Sequence, residues 1–270
     1  MCPYGARFVI GHPEMASPHL VCHCLLIETN AGLVLVDTGF ASRDRDPKTT
    51  TLPKAFLYAA RPTFPANETA KEQITSLGFS PSDVRHIILT HMDPDHAGGL
   101  HDFPDATVHV SAVELEAARK RRDASERRRY HASQWAHVSR FVEYSPTGEP
   151  WKGFGAVRGL LGLPPEILLV SLVGHTRGHV GVAVEAEEGP MLHAGDAYFH
   201  DGEMAPDAYH CPAGLRWFQQ LMVWNNQERL ATQGRLRELV KREGDALRVF
   251  SAHDAMELKR AQDVSRLRTR

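Results

Sequence analysis

Four apolar, strand-like segments of this chain each run into side chains of the kinds that bind metal ions. These side chains are His91, Asp93, Asp95, His96, His175, Asp196 and His253. Residues that follow strand ends project from loops on a rigid base, so we expect all seven to converge at one edge of a sheet. Imidazole and carboxylate ligands suit Zn, Fe or Mn, and paired divalent ions of this kind activate water for hydrolysis.

The densest part of the pattern is His91-Met92-Asp93-Pro94-Asp95-His96, which holds four potential ligands. Such a turn can supply two neighbouring ions, and Gly98-Gly99 after it allows a tight backbone bend. A plain turn with a helix N-cap is the alternative for this segment taken alone. The three further ligands, each placed after an apolar strand, favour a metal centre.

Strands and helices alternate along the chain. Predicted strands lie at 21–29, 33–36, 86–90, 107–110, 167–173, 180–184, 191–193 and 247–250, and predicted helices at 67–77, 114–129 and 227–242. This alternation is typical of an α/β protein (α+β in some schemes) in which helices cover sheets. The length of 270 residues fits one large domain, which we expect to span residues 1–270.

Composition argues against several partners. The formal net charge of −2 gives no general attraction to nucleic acid or anionic lipid. No apolar run reaches the length of about 20 residues that spans a bilayer. The first residues lack the basic start and long apolar stretch of a signal peptide. We therefore expect a cytoplasmic protein that acts on a small molecule, without a nucleic-acid or membrane partner.

A longer set of motifs, in order along most of the chain, resembles the metallo-β-lactamase superfamily. The set comprises Asp37-Thr38-Gly39, His91-x-Asp93-x-Asp95-His96-x-Gly98-Gly99, Gly174-His175-Thr176-x-Gly178-His179, Gly195-Asp196 and Ala252-His253-Asp254. The resemblance implies a four-layer αβ/βα sandwich, with two mixed β-sheets face to face, helices outside and metals at one edge. The family resemblance alone also suggests a small homo-oligomer.

The resemblance also implies how two divalent ions, Zn or alternatively Fe or Mn, divide the ligands. The first ion takes His91, Asp93 and His175, the second takes Asp95, His96 and His253, and Asp196 bridges them. Asp37 and His179 match positions that support the site without binding metal.

Asp93 departs from the family pattern, which usually has histidine there. Two divalent ions, three carboxylates and one hydroxide give a neutral cluster, whereas the usual histidine leaves it at +1. A neutral cluster makes its water harder to deprotonate, and the extra oxygen ligand favours Mn or Fe over Zn. The alternative is that Asp93 turns away and leaves one effective metal; two metals are favoured.

The expected reaction is attack of a metal-bound hydroxide on a lactone or carboxylic ester. Residues 21–29, Gly189-Pro190 and the segment from Phe250 to Asp254 resemble the N-acyl homoserine lactonase branch. Asp95 is the candidate that orients the water and passes a proton. That branch has tyrosine three residues after the bridging aspartate; here Phe199 stands there, so Tyr198 is the candidate substitute, with packing as the alternative.

Three other functions remain open. A phosphodiester or organophosphate hydrolase is suggested by the basic runs at 119–122 and 127–129, although interleaved acids favour a solvated helix face. An iron-dependent oxidase is suggested by Asp93. A metal-containing binding protein with little turnover is the last alternative. The segment 198–224, rich in aromatic residues, is the candidate pocket wall, with core packing equally open.

Overall fold

The computed structural model describes residues 1, 10, 19–145, 148, 150–157, 159–186 and 189–268, without the side chains of 265–268. The strands are β1 (Leu25–Thr29), β2 (Gly32–Val36), β3 (Val84–Ile88), β4 (Thr107–Ser111), β5 (Phe141–Tyr144), β6 (Pro150–Trp151), β7 (Phe154–Val157), β8 (Ile167–Ser171), β9 (Val180–Ala186), β10 (Gly189–His193) and β11 (Arg248–Phe250). The α-helices of these ranges are α1 (Lys54–Ala60), α2 (Ala70–Ser76), α3 (Pro94–Ala97), α4 (Ala112–Lys120), α5 (Ala124–Arg129), α6 (Ala213–Met222), α7 (Asn226–Glu243) and α8 (Ala255–Arg268).

Two mixed sheets form the centre of the fold. The first has the order β1-β2-β3-β4-β5, in which β1 runs antiparallel to β2 and the remaining neighbours are parallel. The second has the order β11-β10-β9-β8-β7-β6, in which only the β10–β11 pair is parallel. The predicted fold class, two mixed sheets flanked by helices, is confirmed.

Three buried apolar clusters define the layers. Val34, Ile88 and Val182 belong to one cluster, so the two sheets pack face to face. The opposite face of the first sheet packs on α4 through Leu115, and the opposite face of the second packs on α7 through Leu236. The near-continuous apolar sequences of β2 and β8 follow from this arrangement, because both faces of these strands are covered.

The carboxyl ends of β3, β8, β10 and β11 position the metal-binding side chains. Strands β8, β10 and β11 run in the same direction because β9 is antiparallel to both β8 and β10, while β11 is parallel to β10. Their following loops therefore leave the second sheet at one edge. The loop after β3 reaches the same place from the first sheet.

Several predicted boundaries were wrong. The helix predicted over 114–129 is two helices, α4 and α5, broken where Arg121 adopts a left-handed φ of 44°. The helix predicted from Asn67 begins later, with Thr69 as N-cap in a capping box with Glu72. No helix in the described ranges is long and apolar enough to cross a membrane. That residues 1–270 form a single domain stays a prediction.

Candidate metal centre

The loop after β3 is held close to the loop after β2. Thr38 donates to the His96 carbonyl through both its backbone N–H (2.8 Å) and its hydroxyl (2.6 Å). Gly99 lies so near that a Cβ there would stand 2.3 Å from the Thr38 carbonyl oxygen. Glycine is therefore required at this position, and its absence of a side chain lets α3 turn against the first sheet.

The structure brings the first predicted ligand group together. Nε2 of His175 lies 3.1 Å from Oδ2 of Asp93, and Nε2 of His91 lies 3.4 Å from the same oxygen. All three side chains are buried and point at a common centre. Asp93 thus faces the cluster, as its role as a ligand requires.

The second predicted group is equally compact. Nε2 of His253 lies 3.5 Å from Oδ2 of Asp95 and 3.4 Å from Nε2 of His96. Asp196 lies between the two groups: its Oδ1 is 3.2 Å from His96 Nε2, and its Oδ2 is 3.1 Å from His253 Nε2 and 3.4 Å from His175 Nε2. This position is the one that a bridging carboxylate needs.

Buried contacts behind these side chains fix their orientation. The Nδ1 atom of His96 lies 2.8 Å from Asp37, and His253 Nδ1 lies 2.6 Å from the Val21 carbonyl oxygen. His179 accepts the backbone N–H of Asp196 at 2.9 Å. Asp37 and His179 therefore lie behind the cluster, where the family pattern implies them.

The donor set fits divalent metal ions. Among the described residues, His91 Nε2 and Asp93 Oδ1 are buried without a hydrogen-bond partner. Buried polar atoms normally have such partners, and a cation would supply the missing interaction. Nitrogen and oxygen donors with no thiolate suit Zn, Mn or Fe.

Electrostatics favours the metal-binding protonation state of Asp93, Asp196 and His175, whereas the charge of Asp196 outweighs burial and raises the pKa of His96 and His253. Burial would raise the pKa of Asp196, but the imidazoles, His253 foremost, hold it well below its usual range. Burial opposes a low pKa at Asp93 too, but the guanidinium of Arg129 and the nearby imidazoles keep it well below the usual value. Burial, helped by the charge of Arg129, lowers the pKa of His175 to about 4. Both carboxylates are therefore ionised and His175 is neutral at pH 7.

Sequence analysis did not identify two buried residues of the site, Glu114 and Arg129. Both lie in the charged segment 114–129, which was interpreted as a solvent-exposed helix face. Arg129 is 8% exposed and donates to Asp93. Glu114 is fully buried and accepts hydrogen bonds from Met92, Tyr130, Thr176 and Gly178. A signal for Glu114 did exist: it shares the helix face of Ala117 and Ala118, at three- and four-residue spacing. Arg129 carried no such signal.

The rest of the basic run lies at the surface as expected. Glu116 pairs with both Lys120 and Arg122, and these side chains are about half exposed. Arg177 pairs with Glu126 at 2.8 Å. Interleaved acids therefore neutralise much of the charge that could attract a polyanion.

Tyr198 lies apart from the ligand cluster. Its buried hydroxyl donates to Oε1 of Glu257 at 2.7 Å, and its ring packs in the core of the second sheet. Phe199 instead stacks on His253, with ring centroids 4.9 Å apart, and lines the cavity beside the cluster. This placement agrees with the packing alternative and does not support a substrate contact for Tyr198.

A cavity of about 140 Å³ opens onto the cluster. Asp93, Asp95, His175, Asp196 and His253 form its floor. Its wall is mostly apolar and includes Phe56, Ala59, Ala60, Phe199, Phe218 and Met222, while Arg128 and Arg129 add two basic side chains to the lining. Of the aromatic residues expected in the wall, Trp217 is 62% exposed and Trp224 packs under Arg177. A larger cavity of about 380 Å³ borders Cys22 and Gln73 and contains none of the seven predicted ligands.

Comparisons with known proteins agree with this geometry. The family profile described as the metallo-beta-lactamase superfamily matches residues 18–261. A protein of Mycobacterium tuberculosis named "Probable metallo-hydrolase" is 43% identical over 247 residues, covering 91% of this chain and 78% of that protein. N-acyl homoserine lactonase AiiA of Bacillus thuringiensis subsp. kurstaki is 24% identical over 232 residues, covering 86% of this chain and 80% of the lactonase.

A solved structure shows the same fold. It is an N-acyl homoserine lactone hydrolase with the product N-hexanoyl-L-homoserine bound at its catalytic metal center. The TM-score is 0.67 at 22% sequence identity, and the match covers 96% of this chain and 91% of that one. At this level of identity the likeness concerns the fold.

Proposed function

Because the chain belongs to the metallo-β-lactamase superfamily, we propose that this metallo-hydrolase opens a lactone or cleaves a carboxylic ester at the cluster. The observation that carries the proposal is the convergence of seven ligand-type side chains, five of which form the floor of a mostly apolar cavity. The lactonases among its relatives support the choice of a cyclic or open ester.

The donor set has the capacity for two divalent ions, with Zn first and Fe or Mn as alternatives. Bound there, such ions would supply Lewis acidity and an activated water. Each group of three ligands has its atoms within 4.8 Å of one another, and Asp196 contacts both groups.

The protein's own residues perform the remaining tasks. The apolar wall, with Phe199 and Phe218, binds the acyl or aryl part of the substrate and excludes water. Asp95 on the floor orients the attacking water and accepts its proton. As the water oxygen bonds to the carbonyl carbon and the ester C–O bond breaks, Asp95 returns the proton to the leaving alkoxide. The product is an acid and an alcohol, or one hydroxy acid from a lactone.

The proposal is tested with metal-free protein reloaded with Zn, Mn or Fe. We expect hydrolysis of N-hexanoyl homoserine lactone or an aryl ester to appear with metal and to disappear with chelator. His253→Ala should abolish turnover, and His101→Ala, outside the cluster, should not. Faster cleavage of a bis-aryl phosphodiester would favour the phosphodiesterase alternative, and oxygen uptake by the iron form would favour an oxidase. Full metal loading without turnover would indicate a binding protein.

A further inference from the structure

The guanidinium of Arg129 lies against the ligand atoms of the first group. Its Nη1 donates to Oδ2 of Asp93 and lies 3.0 Å from Nε2 of His175. Its Nη2 donates to the carbonyl of Met222 at the end of α6. Both terminal nitrogens of the side chain therefore have hydrogen-bond partners, and the side chain is buried at the end of α5.

These contacts put Arg129 in competition with a metal ion. A guanidinium stays protonated in proteins and has no lone pair to offer, so it can only donate to atoms that a metal would need as ligands. It also adds a positive charge at contact distance from the first position. Two cations that close together repel each other strongly in a buried site.

The second group carries no such contact. Within the described ranges, the hydrogen bonds and ion pairs of Asp95, His96 and His253 include no arginine or lysine. The partners of these side chains are Asp37, Asp196, the Val21 carbonyl and one another. The two halves of the centre therefore differ in charge although each supplies three ligands.

We propose that Arg129 makes the two metal positions unequal. Asp95, His96, His253 and Asp196 hold one divalent ion tightly, and Arg129 weakens the binding of a second ion at His91, Asp93 and His175. The inference rests on the proposed function, because it takes the cluster to be a metal centre.

Metal counting with matched variants tests this asymmetry. Wild-type protein, Arg129→Met and Arg127→Met are loaded with Zn²⁺, passed over a desalting column with a weak chelator, and analysed for metal per chain. Arg127 is the control because it is exposed on the same helix, and among the described residues its side chain donates only to backbone carbonyls. We expect one ion in wild type and Arg127→Met, and two in Arg129→Met, with the second ion bound at least tenfold more tightly than in wild type.

Two results overturn the proposal while leaving the metal centre intact. These are two ions of equal affinity in wild type, or a single ion retained by Arg129→Met. Absence of metal from every form would overturn the proposed function as well.

Nuclear magnetic resonance of ¹⁵N-arginine-labelled wild type covers the case in which Arg129→Met fails to fold. The Arg129 signal, assigned with Arg129→Lys, should shift with the second equivalent of Zn²⁺. A shift complete at the first equivalent contradicts the proposal.

Discussion

Nδ1 of His96 lies 2.8 Å from Oδ2 of Asp37, in a buried contact between the loops that follow β3 and β2. Asp37 also accepts the backbone N–H and the hydroxyl of Thr90, at 2.8 and 2.7 Å. A hydrogen bond from Nδ1–H of His96 to this carboxylate orients the ring so that Nε2 faces the cluster. Partners of this kind set the ring orientation and basicity of metal-binding histidines.

Asp37→Asn should weaken metal binding about 10- to 100-fold, because the amide loses the charge and one of the two acceptor oxygens. Asparagine tolerates the left-handed backbone at this position, where φ is 54°, so the substitution leaves the turn intact. Competition with a coloured chelator measures the affinity. Asp44→Asn, at a buried aspartate bonded to Ala41 and Thr51, is the control. Equal affinities in both variants would refute the orienting role of Asp37.

Glu114→Gln should lower both stability and metal affinity. The carboxylate accepts four hydrogen bonds, from Met92 beside the first ligands and from Thr176 and Gly178 beside His175, with Tyr130 as the fourth donor. In glutamine an NH₂ group replaces one carboxylate oxygen, so its N–H groups would face two of these four donors and both hydrogen bonds would be lost. We expect a loss of about 1–3 kcal/mol in the free energy of unfolding, measured in urea.

Glu116→Gln is the matched control on the same helix. Glu116 lies on the exposed face and pairs only with surface cations, so its loss should change stability by less than about 0.5 kcal/mol. Similar effects of the two substitutions would show that burial of Glu114 carries no special role.

Tyr198→Phe should leave kcat for ester or lactone hydrolysis within about threefold of wild type. Its hydroxyl bonds to Glu257, and the cavity is lined by Phe199. We expect a stability loss of about 1 kcal/mol for the missing hydrogen bond. Phe199→Ala should instead raise KM for substrates with long acyl chains. A kcat loss of two orders of magnitude in Tyr198→Phe would restore the catalytic role first considered for it.

The free energy of unfolding should decrease as pH rises, because Glu257 titrates at a higher pH in the folded state than in the unfolded state. Burial, together with the charge of Asp254, raises the pKa of Glu257 to about 8. The folded state then keeps a proton that the unfolded state has already lost, so unfolding releases a proton between about pH 5 and 8. Linkage predicts a decrease of about 1 kcal/mol per pH unit in this window.

Glu257→Gln removes the titrating group and should flatten this dependence, measured by urea unfolding of metal-free protein. Glu238→Gln, at an exposed position of α7, should keep the wild-type slope. The same slope in Glu257→Gln would mean that another group is responsible.

The sequence was most informative where the chain leaves a strand. The loops after β3, β8, β10 and β11 hold the seven ligand-type residues, and the rule that strand ends share an edge was enough to predict their convergence. The two mixed sheets followed from the family resemblance. Short strands such as β5 and β6 were not predicted, because segments of four or two residues carry too little periodicity.

What could not be predicted depends on packing between layers. Glu114 and Arg129 are charged residues in a charged stretch. The local sequence pattern therefore predicts that both are exposed to solvent. Only the tertiary structure shows that α4 turns Glu114 toward the ligand loops and that α5 delivers Arg129 to Asp93. The same limit applies to Tyr198, because the sequence did not show which of the neighbours Tyr198 and Phe199 faces the cavity. In the structure it is Phe199.

The ligand loops come from both sheets, with His91 to His96 following the first and His175, Asp196 and His253 following the second. A cation bound by His96 and His253 would connect residues that lie 157 positions apart in the sequence. Because the ligands come together only in the folded chain, a bound ion stabilises that state by mass action. Metal supply would thereby govern the lifetime of the folded protein as well as its chemistry, and starvation for metal would expose the chain to proteolysis before any residue is altered.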